Sequence, residues 1–321
     1  MKVGYVGRRL LQVVPTVLGI LLVGFALVHI APGDPVLALA GEHGDAEYYE
    51  FMRDRFGLDE ALPARTLTYL SRVLRGDLGV SYVQGRPVRD VIAARVPATL
   101  LLTGTALVLS TLVGLLLGAL AARQPHGGRD AVITMATLGL FAAPVFWIGQ
   151  LAIVVAAFHL GWFPVQGMRS AVESAAGLPA TLDVLHHLAL PAFVLASQEV
   201  AAVSRLTRQG LLTELGSPHV RTARAKGLSE TRVLVRHALR RALLPVVTVV
   251  GSRVGHLLAG TVVVEVVFAW PGLGRLLITS VQARDMPIIL GTFFLVAISV
   301  VVANLLTDLA YRAIDPRIRY E

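Results

Sequence analysis

The residues with the most chemistry to offer lie between Ser217 and Pro245, SPHVRTARAKGLSETRVLVRHALRRALLP, the most basic stretch of an otherwise apolar chain. Nine Lys and Arg stand against two acids between Arg205 and Arg241. That is recognition chemistry: a cationic surface for anionic headgroups or for a groove on another protein. Catalytic arrangements are missing. Cysteine is absent, which removes thiolate nucleophiles, thiolate metal sites and disulfides. The two lysines, Lys2 and Lys226, do not follow a glycine, so there is no G-x-x-x-x-G-K-[ST] phosphate loop; H-E-x-x-H and G-x-S-x-G are absent too. If ATP drives this protein, another chain binds it.

A second group of candidates sits inside apolar runs: Glu199, Arg253, His256 and Glu265. Ionisable side chains at bilayer depth are costly and mark pathways by default. Arg253 and His256 share a helix face while Glu265 faces the other way, so they do not form one cluster. Glu265, close to Trp270, is the leading candidate for lining or gating a pathway, with a buried hydrogen bond to another span as the equal alternative. His186 and His187 are adjacent and point apart on a helix, which argues against a metal site.

These residues need elements to position them. The chain is 55% hydrophobic and 16% charged, where soluble domains carry about 25% charged residues. The apolar residues come in continuous runs of about 20, the length that crosses a ~30 Å bilayer core as a helix. The expectation is an all-α integral membrane protein with six spans. The first lies within residues 1–31 and is stopped by Pro32-Gly33-Asp34-Pro35. Its apolar run is longer than a signal-peptide core, so Ala38-Leu39-Ala40 is not read as a cleavage site. The others cover residues 98–121, 132–158, 184–206, 243–268 and 288–311, leaving a short C-terminus at 312–321. Gly114 and Gly118 form a G-x-x-x-G suited to close helix packing. Pro144 should kink or break the third span. The fourth is the weakest, with Pro191, Ser197, Gln198 and Glu199.

Residues 32–97 are polar, eight arginines against ten acids. Helical patterns at Glu47–Phe56, Pro63–Leu74 and Val88–Ala94, with a turn at Gly76-Asp77-Leu78-Gly79, predict a small helical extracytoplasmic subdomain between the first two spans. Residues 269–287 are expected to be an outer loop. Asn304, Asp308 and Arg312 recur every four residues as one polar stripe. Six spans place both termini in the cytoplasm. Cytoplasmic segments then hold seventeen Lys and Arg and the two short outer segments three, the asymmetry of the positive-inside rule. This accounts for the net charge of +8 without a nucleic-acid partner. An inverted repeat of the kind many secondary transporters show is not visible by eye.

The basic stretch falls in the cytoplasmic loop 207–242. Ser217 and Pro218 predict a helix start, Gly227 a stop, and Ser229 a second start. Arg232, Arg236 and Arg240 are four apart on one face. The pair of short helices could rest on anionic lipid; the small residues of Thr222-Ala223-Arg224-Ala225 favour a protein groove.

At this point VRTARAKGL and RHALRRALLP resemble the cytoplasmic loop of ATP-binding-cassette importer permeases of the dipeptide and oligopeptide subfamily. The likeness runs along the chain: RRLLQVVPTVLGI with PGDP, then GDLGVS, RVPATLLL, PVFWIG, LGWFP, VVVEVVFAWPGLGRLL, RDMP and NLLTDLAYRAIDPRIR. The family loop begins Glu-Ala-Ala, continues to a glycine and ends Ile-x-Leu-Pro. Aligned on Gly227, its opening falls on Arg221, Thr222 and Ala223, and its end on His237 to Arg240; Ala223, Gly227 and Leu239 match. The resemblance implies a type I importer permease fold. It also implies a second permease (a heterodimer), two ATPase domains that bind ATP and Mg, and an external substrate-binding protein, in addition to contact with membrane lipid. No cofactor is expected on this chain, and it is not expected to be an enzyme. The implied ATPase-coupling residues are Ser217, Arg221, Thr222, Ala223, Arg224, Ala225, Lys226, Gly227 and Leu228. Gly33, Asp34, Gly76, Asp77 and Gly79 are expected to help dock the binding protein. Related importers for nickel, glutathione or other small ligands use similar permeases. The alternatives from other classes are a channel or secondary transporter acting alone, and a membrane-embedded enzyme.

Overall fold

The computed structural model describes residues 15, 17–26, 47, 50, 61–170, 177–243, 245–247, 249–250 and 261–314. They are helical apart from turns, loops and one isolated bridge, Val80 to Pro87. The helices are α1 (Val17–Ala26), α2 (Leu62–Leu74), α3 (Val88–Arg123), α4 (Gly128–Ala142), α5 (Val145–Ala152, continued by the π-helical Ile153–His159), α6 (Leu178–Leu215), α7 (Pro218–Ala225), α8 (Glu230–Arg232, continued by the π-helical Val233–Leu239), α9 (Val262–Val267), α10 (Leu273–Gln282) and α11 (Met286–Ile314). Among the described residues, α3 and α6 are long and apolar enough to cross a membrane, and α4 with α5 makes a third if the bent pair is one span. The expected sites Gly33, Asp34, Arg253 and His256 lie outside the described residues.

Two expectations change. The second span was expected to begin at Ala98 after a separate outer helix, but α3 is one helix of 36 residues that runs through Pro97. A proline costs an interior helix about 3 kcal/mol; here the turns before it are held by the buried Val88, Val91 and Ile92. At 1.5 Å per residue α3 is about 54 Å long, well beyond a bilayer core. The kink or break expected at Pro144 is present as a break: Ala143 and Pro144 are extended, and the chain bends by 102° between α4 and α5. The segment 269–287, expected as a loop, holds α10.

The chain divides into two compact units. The first comprises residues 1–98, 272–301 and 320–321. Its core gathers Phe25, Ile289 and Leu290 with Tyr69, Leu277 and Phe293, and the rings of Phe25 and Tyr69 stack at 5.5 Å. Gly76 ends α2 with φ +77°. Its N–H donates to the Val73 carbonyl at 2.9 Å and that of Asp77 to Arg72 at 3.0 Å, the Schellman pattern that glycine permits. Asp77 then accepts from the Gly79 N–H at 2.9 Å.

Asp285, 1% exposed, clasps the turn that follows. Its carboxylate accepts from the Ser81 hydroxyl, from the Tyr82 N–H at 3.1 Å and from the Val83 N–H at 3.4 Å. An unsatisfied donor costs about 1–3 kcal/mol, so Asp285→Ala should loosen the turn. The expected result is faster chymotryptic cleavage after Tyr82 in the purified permease, with Asp285→Asn in between. Equal cleavage rates in all three proteins would remove the clasp.

The second unit comprises residues 99–271 and 302–319. Its axis is α6. A Cβ built on Gly114 would lie 2.6 Å from Val203 Cβ, and one on Gly118 would lie 2.5 Å from the Ser204 carbonyl oxygen. The G-x-x-x-G of α3 is therefore its contact with α6. Gly149 of α5 faces Val194 of α6 and Val267 of α9. Gln198 Nε2 donates to the Leu140 carbonyl at 3.2 Å, one of the acceptors that the end of α4 leaves without a helical partner. That gives one residue of the polar cluster in the fourth span a structural purpose.

Candidate functional site

The basic stretch folds as the helix pair α7 and α8. Ser217 and Pro218 open α7 at the N-cap and N1 positions. The Ser217 hydroxyl does not cap the helix as expected; it turns back to the Glu214 carbonyl and contacts His219 Nδ1 at 2.9 Å. At the other end Gly227 has φ +76°. Its N–H donates to the Arg224 carbonyl at 2.9 Å, and that of Leu228 to Ala223 at 3.4 Å. This is again a Schellman cap, with its usual apolar contact between the residue after the glycine and the last helical turn. Leu228 packs on the same buried cluster as Ala223.

That cluster fixes the pair to the long helices. Val220, Val233, Ala238 and Leu211 are all 0% exposed. A Cβ on Gly210 would meet the Ala242 carbonyl at 2.9 Å. Arg221, Thr222, Arg224, Ala225, Lys226 and Gly227 form the exposed face, with Ser217 and Leu228 half-buried. Ala223 corrects the expectation of a small-residue docking surface: it is 5% exposed, turned into the chain's own core. The exposed face then carries Thr222 and Ala225 beside the cations.

An ion pair staples the two helices across Gly227. Arg224 Nε donates to Glu230 Oε1 at 2.8 Å and its Nη2 to Oε2 at 3.1 Å. This hydrogen-bonded guanidinium holds the Glu230 carboxyl below its ordinary range. The pair is exposed, so it contributes geometry more than stability. A second bidentate pair lies at the α3–α4 turn. Arg208 of α6 donates to Asp130 through Nε at 2.7 Å and Nη2 at 2.6 Å. Asp130 also accepts from the His126 N–H at 2.9 Å, where His126 has φ +63°.

Glu265 on α9 is 0% exposed. Thr99 Oγ1 donates to its Oε1 at 2.7 Å and Thr261 Oγ1 at 3.1 Å; both threonines are fully buried. Its backbone carbonyl accepts from the Trp270 N–H at 2.8 Å. Glu199 is half-buried on α6. His186 and His187 diverge, to the Trp162 carbonyl and to Asp183 respectively. No group of three or more potential metal ligands occurs among the described residues.

The sequence reading missed both ion pairs and the Thr99 partner. Thr99 is 166 positions from Glu265, beyond any local spacing rule. A usable signal did exist for the staple, since arginine and glutamate flank a helix-stop glycine.

Comparisons with known proteins fit this geometry. Residues 114–320 match the family described as "Binding-protein-dependent transport system inner membrane component". Residues 2–103 match the N-terminal component of the same kind of system. The chain is 40% identical over 318 residues to the oligopeptide transport system permease protein AppB of Bacillus subtilis (strain 168), covering 98% of this chain and 99% of that protein. It is 40% identical over 335 residues to the dipeptide transport system permease protein DppB of Escherichia coli (strain K12), covering 99% of each. The glutathione transport system permease protein GsiC of the same strain is also 40% identical, over 318 residues, at 99% of each chain. The fold is similar to a chain of the MetNI methionine ABC transporter in an inward-facing conformation, at 16% identity and a TM-score of 0.53, covering 71% of this chain and 97% of that one. The chain belongs to the binding-protein-dependent transport system inner membrane component family, as a permease of an ATP-binding-cassette importer in the dipeptide and oligopeptide subfamily.

Proposed function

We infer that this permease carries di- and oligopeptides inward through a pathway it forms with a second permease, and that the α7–α8 pair couples the pathway to partner ATPases. The observation that carries the reading is the exposed cationic face of α7, seated on a wholly apolar base of Val220, Ala223, Val233 and Ala238. A helix pair fixed this firmly to α6 transmits a push as a rigid body. ATP and Mg belong to the partner ATPases, which close around nucleotide. Contacts at α7 shift the permease only by their difference in energy between its two states.

The reading keeps six spans in the inner membrane, both termini cytoplasmic, on the charge asymmetry of the loops. The extracytoplasmic subdomain, residues 32–97, receives the binding protein. Gly33, Asp34, Gly76, Asp77 and Gly79 are docking candidates. The clasped turn around Gly79 supplies a preformed surface there. Peptides are the first substrate class because the oligopeptide and dipeptide permeases match nearly end to end. Glutathione is the second reading, on the equal identity of the glutathione permease. The test is uptake of labelled dipeptide, oligopeptide and glutathione by the reconstituted importer with its binding protein. Peptide uptake that needs ATP and the ATPase chains supports the assignment; uptake by this chain alone would overturn it in favour of a channel or secondary transporter.

Glu265 stays a pathway or gate candidate with Glu199, Arg253 and His256, and its surroundings favour a buried anchor. Glutamine keeps an acceptor oxygen for Thr99 and Thr261, so Glu265→Gln should assemble and transport at near-normal rates. Glu265→Ala strands two buried hydroxyls at about 1–3 kcal/mol each and should lower the yield of assembled complex. Normal assembly of Glu265→Gln with abolished uptake would instead make the charge itself part of the mechanism.

A further inference from the structure

Beside the helix pair, within the second unit, is a cavity of about 450 Å³. Its floor is apolar: Ala122 is 2% and Leu234 8% exposed, and Leu215 is half-buried. Its rim carries Arg123, Arg129 and Arg224. The lone acid there, Glu230, already holds Arg224 through both oxygens. Asp130, which follows Arg129 in sequence, is spent on Arg208 and the His126 N–H. Arg123 and Arg129 have no carboxylate partner among the described residues. The Asp130–Arg208 pair fixes the turn between α3 and α4, and so sets the two unpaired cations on one rim.

We propose that this cavity is a phosphate site occupied by the headgroup of an anionic phospholipid. Two features point to a lipid over free phosphate. The cavity opens where the apolar run of α3 ends at Ala122 and that of α4 begins at Ala131, the depth at which headgroups lie. Its floor gives nothing to inorganic phosphate, whereas the glycerol and first acyl carbons of a lipid can cover Ala122, Leu215 and Leu234. Two guanidiniums facing one phosphate supply charge-assisted hydrogen bonds. The site does not depend on α7 acting as a coupling helix, because lipid occupancy is read without transport.

The experiment uses the assembled importer in detergent. Native mass spectrometry follows binding of phosphatidylglycerol, with phosphatidylcholine as the zwitterionic comparison. The expected result is retention of phosphatidylglycerol over phosphatidylcholine, weakened about fivefold for each arginine removed in Arg123→Gln and Arg129→Gln, at the usual worth of a basic residue beside an anionic headgroup. Arg232→Gln with Arg236→Gln, which removes equal charge from the exposed side of α8 away from the cavity, should leave retention unchanged. Equal loss in that control would mean diffuse attraction and overturn the site. Displacement of the lipid by millimolar inorganic phosphate would overturn the lipid assignment. All of these arginines are exposed, so the variants should assemble.

Discussion

Gly118→Leu is expected to abolish the folded importer, the largest effect of any single substitution considered. A Cβ at this position would meet the Ser204 carbonyl oxygen at 2.5 Å, Thr207 Cβ at 2.6 Å and the Arg208 nitrogen at 3.1 Å. Two of the three are backbone atoms of α6, so no rotamer change makes room; the helices themselves must separate. Overpacking a core costs about 1–3 kcal/mol even where side chains give way. Membrane helices feel this keenly, because lipid tails are as apolar as the helix faces and close packing must supply the attraction. Separation at Gly118 would also move Arg208 away from Asp130, undoing the turn that joins α3 to α4. Gly104, on the same helix, has nothing within 4 Å of a built Cβ, and Gly104→Leu should be tolerated. Assembly can be read as a monodisperse complex on size-exclusion chromatography, followed by uptake. A Gly118→Leu permease that assembles and transports like the parent would sink the packing argument.

The second large effect is at Gly227, and it should appear in transport without appearing in assembly. A Cβ there meets nothing within 4 Å, so space is not the constraint; the backbone is, with φ at +76°. A β-branched residue held in this region costs roughly 1–3 kcal/mol. Relief comes by unwinding the cap, which frees Leu228 from its buried cluster and pulls Glu230 from Arg224. Gly227→Val should therefore assemble in the membrane and retain ATP hydrolysis while uptake falls. A coupling shift of about 1.4 kcal/mol would appear as roughly a tenfold loss. Asparagine adopts the left-handed conformation at modest cost, so Gly227→Asn should transport nearly as well as the parent. Coupled assays of ATP hydrolysis and peptide uptake in proteoliposomes separate the cases. Normal uptake by Gly227→Val would reduce the helix pair to a lipid-facing loop. An equal defect in Gly227→Asn would mean that the absent side chain leaves room for a partner, and that strain is not the cause.

The sequence by itself determined what local chemistry controls. Continuous apolar runs dictate that α3 and α6 cross lipid, since buried backbone there has to satisfy its own hydrogen bonds. Ser217-Pro218 and Gly227 dictate where α7 begins and ends, because capping depends on the φ and ψ that those residues favour. The sequence also lacks the G-x-x-x-x-G-K-[ST] phosphate loop. Only the tertiary structure decided what depends on which helices become neighbours. Pro97 is absorbed into α3 because Val88, Val91 and Ile92 find a core to enter. Pro144 breaks a span outright, and Gln198 lies close enough to meet a carbonyl that the break exposes. Ala223, which looked like a docking residue, faces inward because the base beneath α7 is supplied by distant segments. Glu265 meets Thr99 across 166 positions and Arg208 meets Asp130 across 78. Such pairings have no periodicity to betray them, for they are selected by shape and hydrogen-bond complementarity between elements that the sequence specifies one at a time.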